Sequence, residues 1–158
     1  MIQCKPIECK LTSLAYQLGL YPDGLLPATE MSAAIDLQAC IKQPITVWPD
    51  RTVETIPTGI HIWTDQPLAV ILLPRSSSKI QLANTIGLID PDYQGELLVK
   101  CRNPAVDKIT IEPGQRFIQA IFVPILLPAA THFKLVESFS GCTDRANGGF
   151  GSTGKSIS

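Results

Sequence analysis

The sequence predicts an all-β fold, a sandwich, jelly roll or barrel. Three observations predict it. Short apolar runs recur along nearly the whole chain, each closed by turn-forming residues. Where polar and apolar residues alternate, as in Lys108-Ile109-Thr110-Ile111, the period is the two of a strand with one buried face. Helical spacing is confined to one early stretch, where Leu11, Leu14, Ala15 and Leu18 fall at i, i+3, i+4 and i+7 and Gly19 stands ready to end the turn.

After that helix, strands are expected at 34–40, 47–56, 60–63, 68–73, 96–101, 108–111, 116–123 and 133–136. Pro49-Asp50, Pro57-Thr58-Gly59, Asp65-Gln66-Pro67 and Glu112-Pro113-Gly114 punctuate them, because proline lacks a ladder donor and glycine takes backbone angles other residues avoid. The apolar run Ile86-Gly87-Leu88-Ile89 ends in Asp90, Pro91 and Asp92 make a turn, and Tyr93 follows. From Gly141 onward the chain has one aromatic and almost nothing to bury, which predicts a mobile tail unless a partner orders it.

At 158 residues the chain is sized for one domain with a real core. Charged residues make up 17% and hydrophobic ones 45%, so some apolar surface is expected to be buried against other subunits. A formal net charge of −1 gives no basic field for nucleic acid or an acidic membrane. The five cysteines, Cys4, Cys9, Cys40, Cys101 and Cys142, have no zinc-ligand spacing and read as reduced thiols of a cytoplasmic protein. The first residues lack the apolar core of a signal peptide. The longest apolar run, 120–130, is cut by Pro124 and Pro128 and falls short of the about 20 residues that span a bilayer.

Several groups carry chemistry. Asp36 lies in an otherwise small and apolar strand, where a half-buried carboxylate needs an arginine or a metal-bound water; a structural ion pair is equally consistent. Arg75 and the hydroxyls of Ser76 and Ser77 follow a strand directly and can fork onto phosphate oxygens, or simply form a solvated turn. Asp90 reads either as a cap of its own turn or as a general base at the mouth of an apolar wall. The tail Gly148-Gly149-Phe150-Gly151-Ser152-Thr153-Gly154-Lys155-Ser156 offers bare amides for an anion and a ring to stack. Its likeness to a P-loop fails on context, since no strand and helix flank it.

Taken together, AAIDLQA around Asp36, PRSSS at 74–78, NTIGLIDPDYQGEL at 84–97, GQRFIQAIF at 114–122 and GGFGSTG at 148–154 resemble the five ordered motifs of the trimeric dUTPase family. The resemblance runs from about Leu26 to the C-terminus. It implies a single-domain, jelly-roll-like (β-clip) sandwich over residues 1–136, with 1–25 as an N-terminal extension and 137–158 as a flexible glycine-rich arm closing the active site. It implies a homotrimer with shared sites and cleavage of dUTP to dUMP and diphosphate with Mg²⁺. By the same resemblance Asp90 would activate the attacking water, and Tyr93 would stack beneath deoxyribose and exclude a 2′-hydroxyl. Asn84 and the backbone around Gly87, Leu88, Ile89 and Leu98 would read uracil and crowd out a 5-methyl group. Arg75, Ser76, Ser77 and Gln119 would hold phosphates, and Asp36 would reach Mg²⁺ through water. Arg145, Ser152 and Thr153 would grip the γ-phosphate, Phe150 would cover the base, and Gly151 would bind substrate beside them.

The segment after Ser77 is shorter than the family pattern, which alters the helix expected after Arg75. A dCTP deaminase of the same fold would need a glutamate in the strand after the third motif, where Lys100 stands instead. A catalytically inactive, dUTPase-like regulatory binding module is the reading from another class; Asp90, Asn84 and Arg145 speak against it.

Overall fold

The computed structural model describes residues 6–49, 52–130, 133, 135–137 and 141. The chain divides into two compact units, 1–126 and 127–158. Strands β1 (Glu8–Leu11), β2 (Ile35–Gln38), β3 (Ile45–Val47), β4 (Glu54–Trp63), β5 (Leu68–Pro74), β6 (Gln81–Leu82), β7 (Gly87–Ile89), β8 (Glu96–Arg102), β9 (Ile109–Ile111) and β10 (Arg116–Pro124) lie in the first unit, with one short helix, α1 (Ser13–Gln17). They form two four-stranded sheets, ordered β1-β4-β8-β6 and β2-β10-β5-β7, and a β3-β9 ribbon. Every pairing among these strands is antiparallel. The all-β expectation holds. No helix of the described residues is long and apolar enough to cross a membrane.

The core follows from strand periodicity. On β8, Leu97, Val99 and Cys101 are buried while Leu98, Lys100 and Arg102 face out. Ile56, Ile60 and Ile62 of β4 meet Leu72 of β5 and Phe117, Ile118 and Ala120 of β10 in one apolar cluster. Each fully buried large side chain there contributes about 1.5–3 kcal/mol. The central strands β5 and β10 bury adjacent as well as alternate residues, as expected for strands with neighbours on both edges. Helix α1 forms where its spacing predicts: the Thr12 hydroxyl accepts the Ala15 N–H at 3.2 Å, Ala15 is buried, and Gly19 leaves the helix at φ +65°.

Some boundaries differ from expectation. The strand at 47–56 does not form: β3 ends at Val47, and β4 starts at Glu54 and absorbs 60–63. Pro57-Thr58-Gly59 is therefore a bulge inside β4 rather than a turn. It is tolerated because its polar groups find partners elsewhere. The Thr58 carbonyl accepts the Tyr21 hydroxyl at 2.8 Å, the Thr58 hydroxyl donates to the Leu97 carbonyl at 2.8 Å, and the Gly59 carbonyl accepts the Thr12 N–H at 2.9 Å. After Arg75 a single turn, closed by Ser78 N–H on the Arg75 carbonyl at 2.9 Å, stands in place of a helix.

In the second unit, Pro128–Ala130 make a 3-10 turn. Phe133, Leu135 and Val136 lie outside any strand, against the expectation for 133–136; an apolar run marks a surface to cover but brings no ladder partner of its own.

Candidate active site

Sheet register brings the first, second and fourth motifs together. Asp36 on β2 sits opposite Gln119 on β10, and Gln119 sits opposite Leu73 on β5, just before Pro74 and Arg75. Arg75 Nε reaches Asp36 Oδ1 at 2.8 Å, and Arg75 Nη1 donates to the Arg116 carbonyl at 3.1 Å. Gln119 Nε2 donates to the Pro74 carbonyl at 3.1 Å. The arginine that Asp36 requires is thus Arg75, so the structural ion pair and the joining of two motifs are the same contact. Both side chains are half-buried, and the pair orients the guanidinium more than it stabilises the fold. Ser76 and Ser77 are exposed on the turn that follows.

The third motif forms a separate hollow. Gly87 is buried against β5, where an added Cβ would lie 2.8 Å from Leu72 Cβ. This close approach brings the β7 strand tightly onto the sheet and turns Leu88 outward. Upstream, Asn84 is exposed; Thr85 adopts φ +66°, and Ile86 N–H bonds the Asn84 carbonyl at 2.7 Å. Downstream, the turn is closed by the Asp90 backbone, whose carbonyl accepts Tyr93 N–H at 3.1 Å. The Asp90 carboxylate has no side-chain bond among the described residues, so capping is not what occupies it. Leu88, Ile89, Asp90, Tyr93, Glu96 and Leu98 line a hollow of about 190 Å³. A larger hollow of about 500 Å³ along β1 and β4, lined by Glu8, Cys9, Lys10, His61, Ile62, Trp63 and Gln94, contains none of the candidate residues. Chemistry rather than size marks the smaller hollow as the candidate.

The two clusters lie at opposite ends of β5. Ile89, next to Asp90, pairs with Val70, whereas Arg75 is five residues further along. At the rise of a strand that separation is about 16 Å. Arg145, Phe150, Gly151, Ser152 and Thr153 lie outside the described residues.

Glu96 was not singled out from the sequence. It lines the hollow with Asp90, its Oε1 accepts Gly59 N–H at 2.8 Å, and its carbonyl accepts the Tyr93 hydroxyl at 3.0 Å. Its charge also reaches inward. Burial foremost raises the Tyr21 hydroxyl and the Cys40 thiol above their ordinary values, and Glu96 adds to both shifts.

A family model described as dUTPase matches residues 23–154. A deoxyuridine 5′-triphosphate nucleotidohydrolase of Legionella pneumophila (strain Paris) is 44% identical over 133 residues, covering 81% of this chain and 84% of that protein. One of Glaesserella parasuis serovar 5 is 47% identical over 133 residues, covering 81% and 85%. Among solved structures, a Staphylococcus bacteriophage 80alpha dUTPase with dUpNHpp superposes with a TM-score of 0.77 at 21% identity, over 96% of this chain and all of that one. A dUTPase from phage phi11 of S. aureus, described with a structural Mg(II) ion, superposes with a TM-score of 0.69 at 17% identity, over 87% of this chain and all of that one. With the motif residues in these positions and a family model spanning most of its length, this chain belongs to the dUTPase family.

Proposed function

We propose that this chain hydrolyses dUTP to dUMP and diphosphate, supplying dUMP for thymidylate synthesis and keeping uracil out of DNA, in the cytoplasm. The observation that carries the reading is Asp90: an exposed carboxylate with no side-chain partner among the described residues, lining one hollow with Leu88, Leu98 and the Tyr93 ring. The shared name of relatives at about 45% identity supports the substrate.

In the proposed reaction Asp90 accepts a proton from a water molecule as that water attacks the α-phosphorus. A P–O bond forms, the α–β bridging bond breaks, and its electrons leave with diphosphate. Arg75, Ser76, Ser77 and Gln119 bind the phosphates, and fixed donors stabilise charge developing there. Tyr93 lies under the sugar. Asn84 and the backbone at Gly87, Leu88, Ile89 and Leu98 face uracil; a wrong base would leave buried groups unpaired. The arm residues Arg145, Phe150, Gly151, Ser152 and Thr153 close over the triphosphate and base, which excludes bulk water.

The described residues contain no group of His, Cys, Asp or Glu able to cage a bare ion. They do fit a hydrated Mg²⁺ delivered on the triphosphate, for which a single outer-sphere carboxylate suffices. Asp36 would hold it through water, with Arg75 already on one carboxylate oxygen. Such an ion supplies charge neutralisation for the leaving diphosphate.

Two features support a site shared between copies in a homotrimer. A base and phosphate donors set about 16 Å apart along β5 cannot meet at a single phosphorus. A hollow of about 190 Å³ is below the roughly 300–1,000 Å³ of ordinary ligand pockets. In a closed ring, Asp90 of one copy faces Arg75 of the next, with the arm of a third over both.

The test is diphosphate release from dUTP, dTTP, UTP and dCTP, with and without Mg²⁺, by the unaltered chain and by Asp90→Asn. The expected result is release from dUTP alone, dependent on Mg²⁺, falling by about 10²–10⁴-fold in Asp90→Asn while dUMP still binds. Unchanged turnover in Asp90→Asn would refute the base. Ammonia from dCTP, or nucleotide binding without turnover, would favour a deaminase or a regulatory binding module instead.

A further inference from the structure

We propose that Glu96 is a positioning residue that sets the discrimination between deoxyribose and ribose, by bracing the Tyr93 ring against the β4 bulge; this rests on the reading of Tyr93 as the sugar platform. The ladder between β4 and β8 pairs Pro57 with Leu98 and then His61 with Glu96, so four steps on β4 oppose two on β8. A bulge of this kind leaves backbone donors unpaired. One of them, Gly59 N–H, is taken by Glu96 Oε1 at 2.8 Å, a charge-assisted bond in a partly buried place.

Gly59 is itself closely packed. Its carbonyl holds Thr12 N–H at 2.9 Å, and the space where a Cβ would sit is closed by Ala15 and Cys40. The side chain of residue 96 is therefore tied to the rigid interior. Its main chain is tied to the site, because the Glu96 carbonyl accepts the Tyr93 hydroxyl at 3.0 Å. Between them, a Cβ on Gly95 would overlap the Tyr93 hydroxyl, so the ring lies directly across residue 95. Glu96 and Tyr93 line the same hollow as Asp90. The chain of contacts from Thr12 through Gly59 and Glu96 to Tyr93 fixes the ring face on which a sugar would rest. A 2′-hydroxyl is rejected only as firmly as that ring is held.

The experiment compares kcat/KM for dUTP and UTP in the unaltered chain, Glu96→Ala, Glu96→Gln and Tyr93→Phe, with a melting curve for each. Glu96→Ala and Tyr93→Phe are each expected to lower the dUTP/UTP ratio by about tenfold, the scale of one lost hydrogen bond. Glu96→Gln keeps an acceptor at Oε1 and is expected to hold the ratio within about twofold. The double variant Glu96→Ala with Tyr93→Phe should fall no further than either alone, because both cut one brace. A purely structural role would lower the melting temperature and leave the ratio intact. An unchanged ratio in folded Glu96→Ala overturns the proposal, as does an unchanged ratio in Tyr93→Phe should Glu96→Ala fail to fold. An unaltered chain that does not hydrolyse dUTP overturns the underlying reading as well, and is distinguished by its own zero rate.

Discussion

Replacing Gly59 with alanine tests the packing that holds the site. Gly59 adopts φ +76°, and a Cβ there would lie 2.7 Å from Ala15 Cβ and 2.9 Å from Cys40 Sγ. Ala15 and Cys40 are 0% and 1% exposed, so neither can swing aside. Gly24 is the control, at φ +84° with nothing within 4 Å of its added Cβ. Both substitutions carry the left-handed backbone cost of about 1–2 kcal/mol, partly offset by a stiffer unfolded chain. Gly59→Ala adds overpacking of about 1–3 kcal/mol. Gly24→Ala should therefore lose about 1 kcal/mol and Gly59→Ala about 2–4 kcal/mol. The assay is urea denaturation at one fixed protein concentration, since the proposed assembly would couple to stability, with the difference read from midpoints at constant slope. Equal losses, within about 0.5 kcal/mol, would refute the argument that α1 and Cys40 close over the bulge.

Tyr21→Phe removes a hydroxyl that donates to the Thr58 carbonyl at 2.8 Å and accepts Gln38 N–H at 2.8 Å. The orphaned groups should cost about 1–3 kcal/mol in the same assay, with little change in dUTP affinity. Burial foremost, and then Glu54, pushes the Cys101 thiol up to about 11 from 9.0. The folded state thus favours the neutral thiol. Its contribution is complete below about pH 9 and is lost as pH rises toward about 11, because the unfolded chain ionises first. Cys101→Ala should flatten the fall in stability measured across that window, and an unchanged slope would contradict the assignment.

The strands β5, β8 and β10 were legible in the sequence because their apolar runs are set by burial alone. Expected bounds of 68–73, 96–101 and 116–123 became Leu68–Pro74, Glu96–Arg102 and Arg116–Pro124. The continuity of β4 was not legible. Pro57-Thr58-Gly59 carries every local sign of a turn, and what keeps it in a strand are Thr12, Tyr21, Leu97 and Glu96, all distant in sequence. Strand β1 was missed because Glu8-Cys9-Lys10 is exposed on an edge and shows no buried face. Motif residues announce themselves by chemistry, as Asp36, Arg75, Asp90 and Tyr93 do. Glu96 has no such signal, since its partner exists only once the bulge has formed.

The claim on which the account turns is that Asp90 and Arg75 of different copies meet at one phosphate. Asp90→Asn and Arg75→Ala chains, each nearly inactive alone, would be unfolded together, refolded as an equal mixture and assayed for diphosphate release from dUTP. Random assembly should return about one quarter of the unaltered activity, because a site then draws an intact Asp90 and an intact Arg75 from separate chains. A mixture no more active than its parts would contradict the shared site.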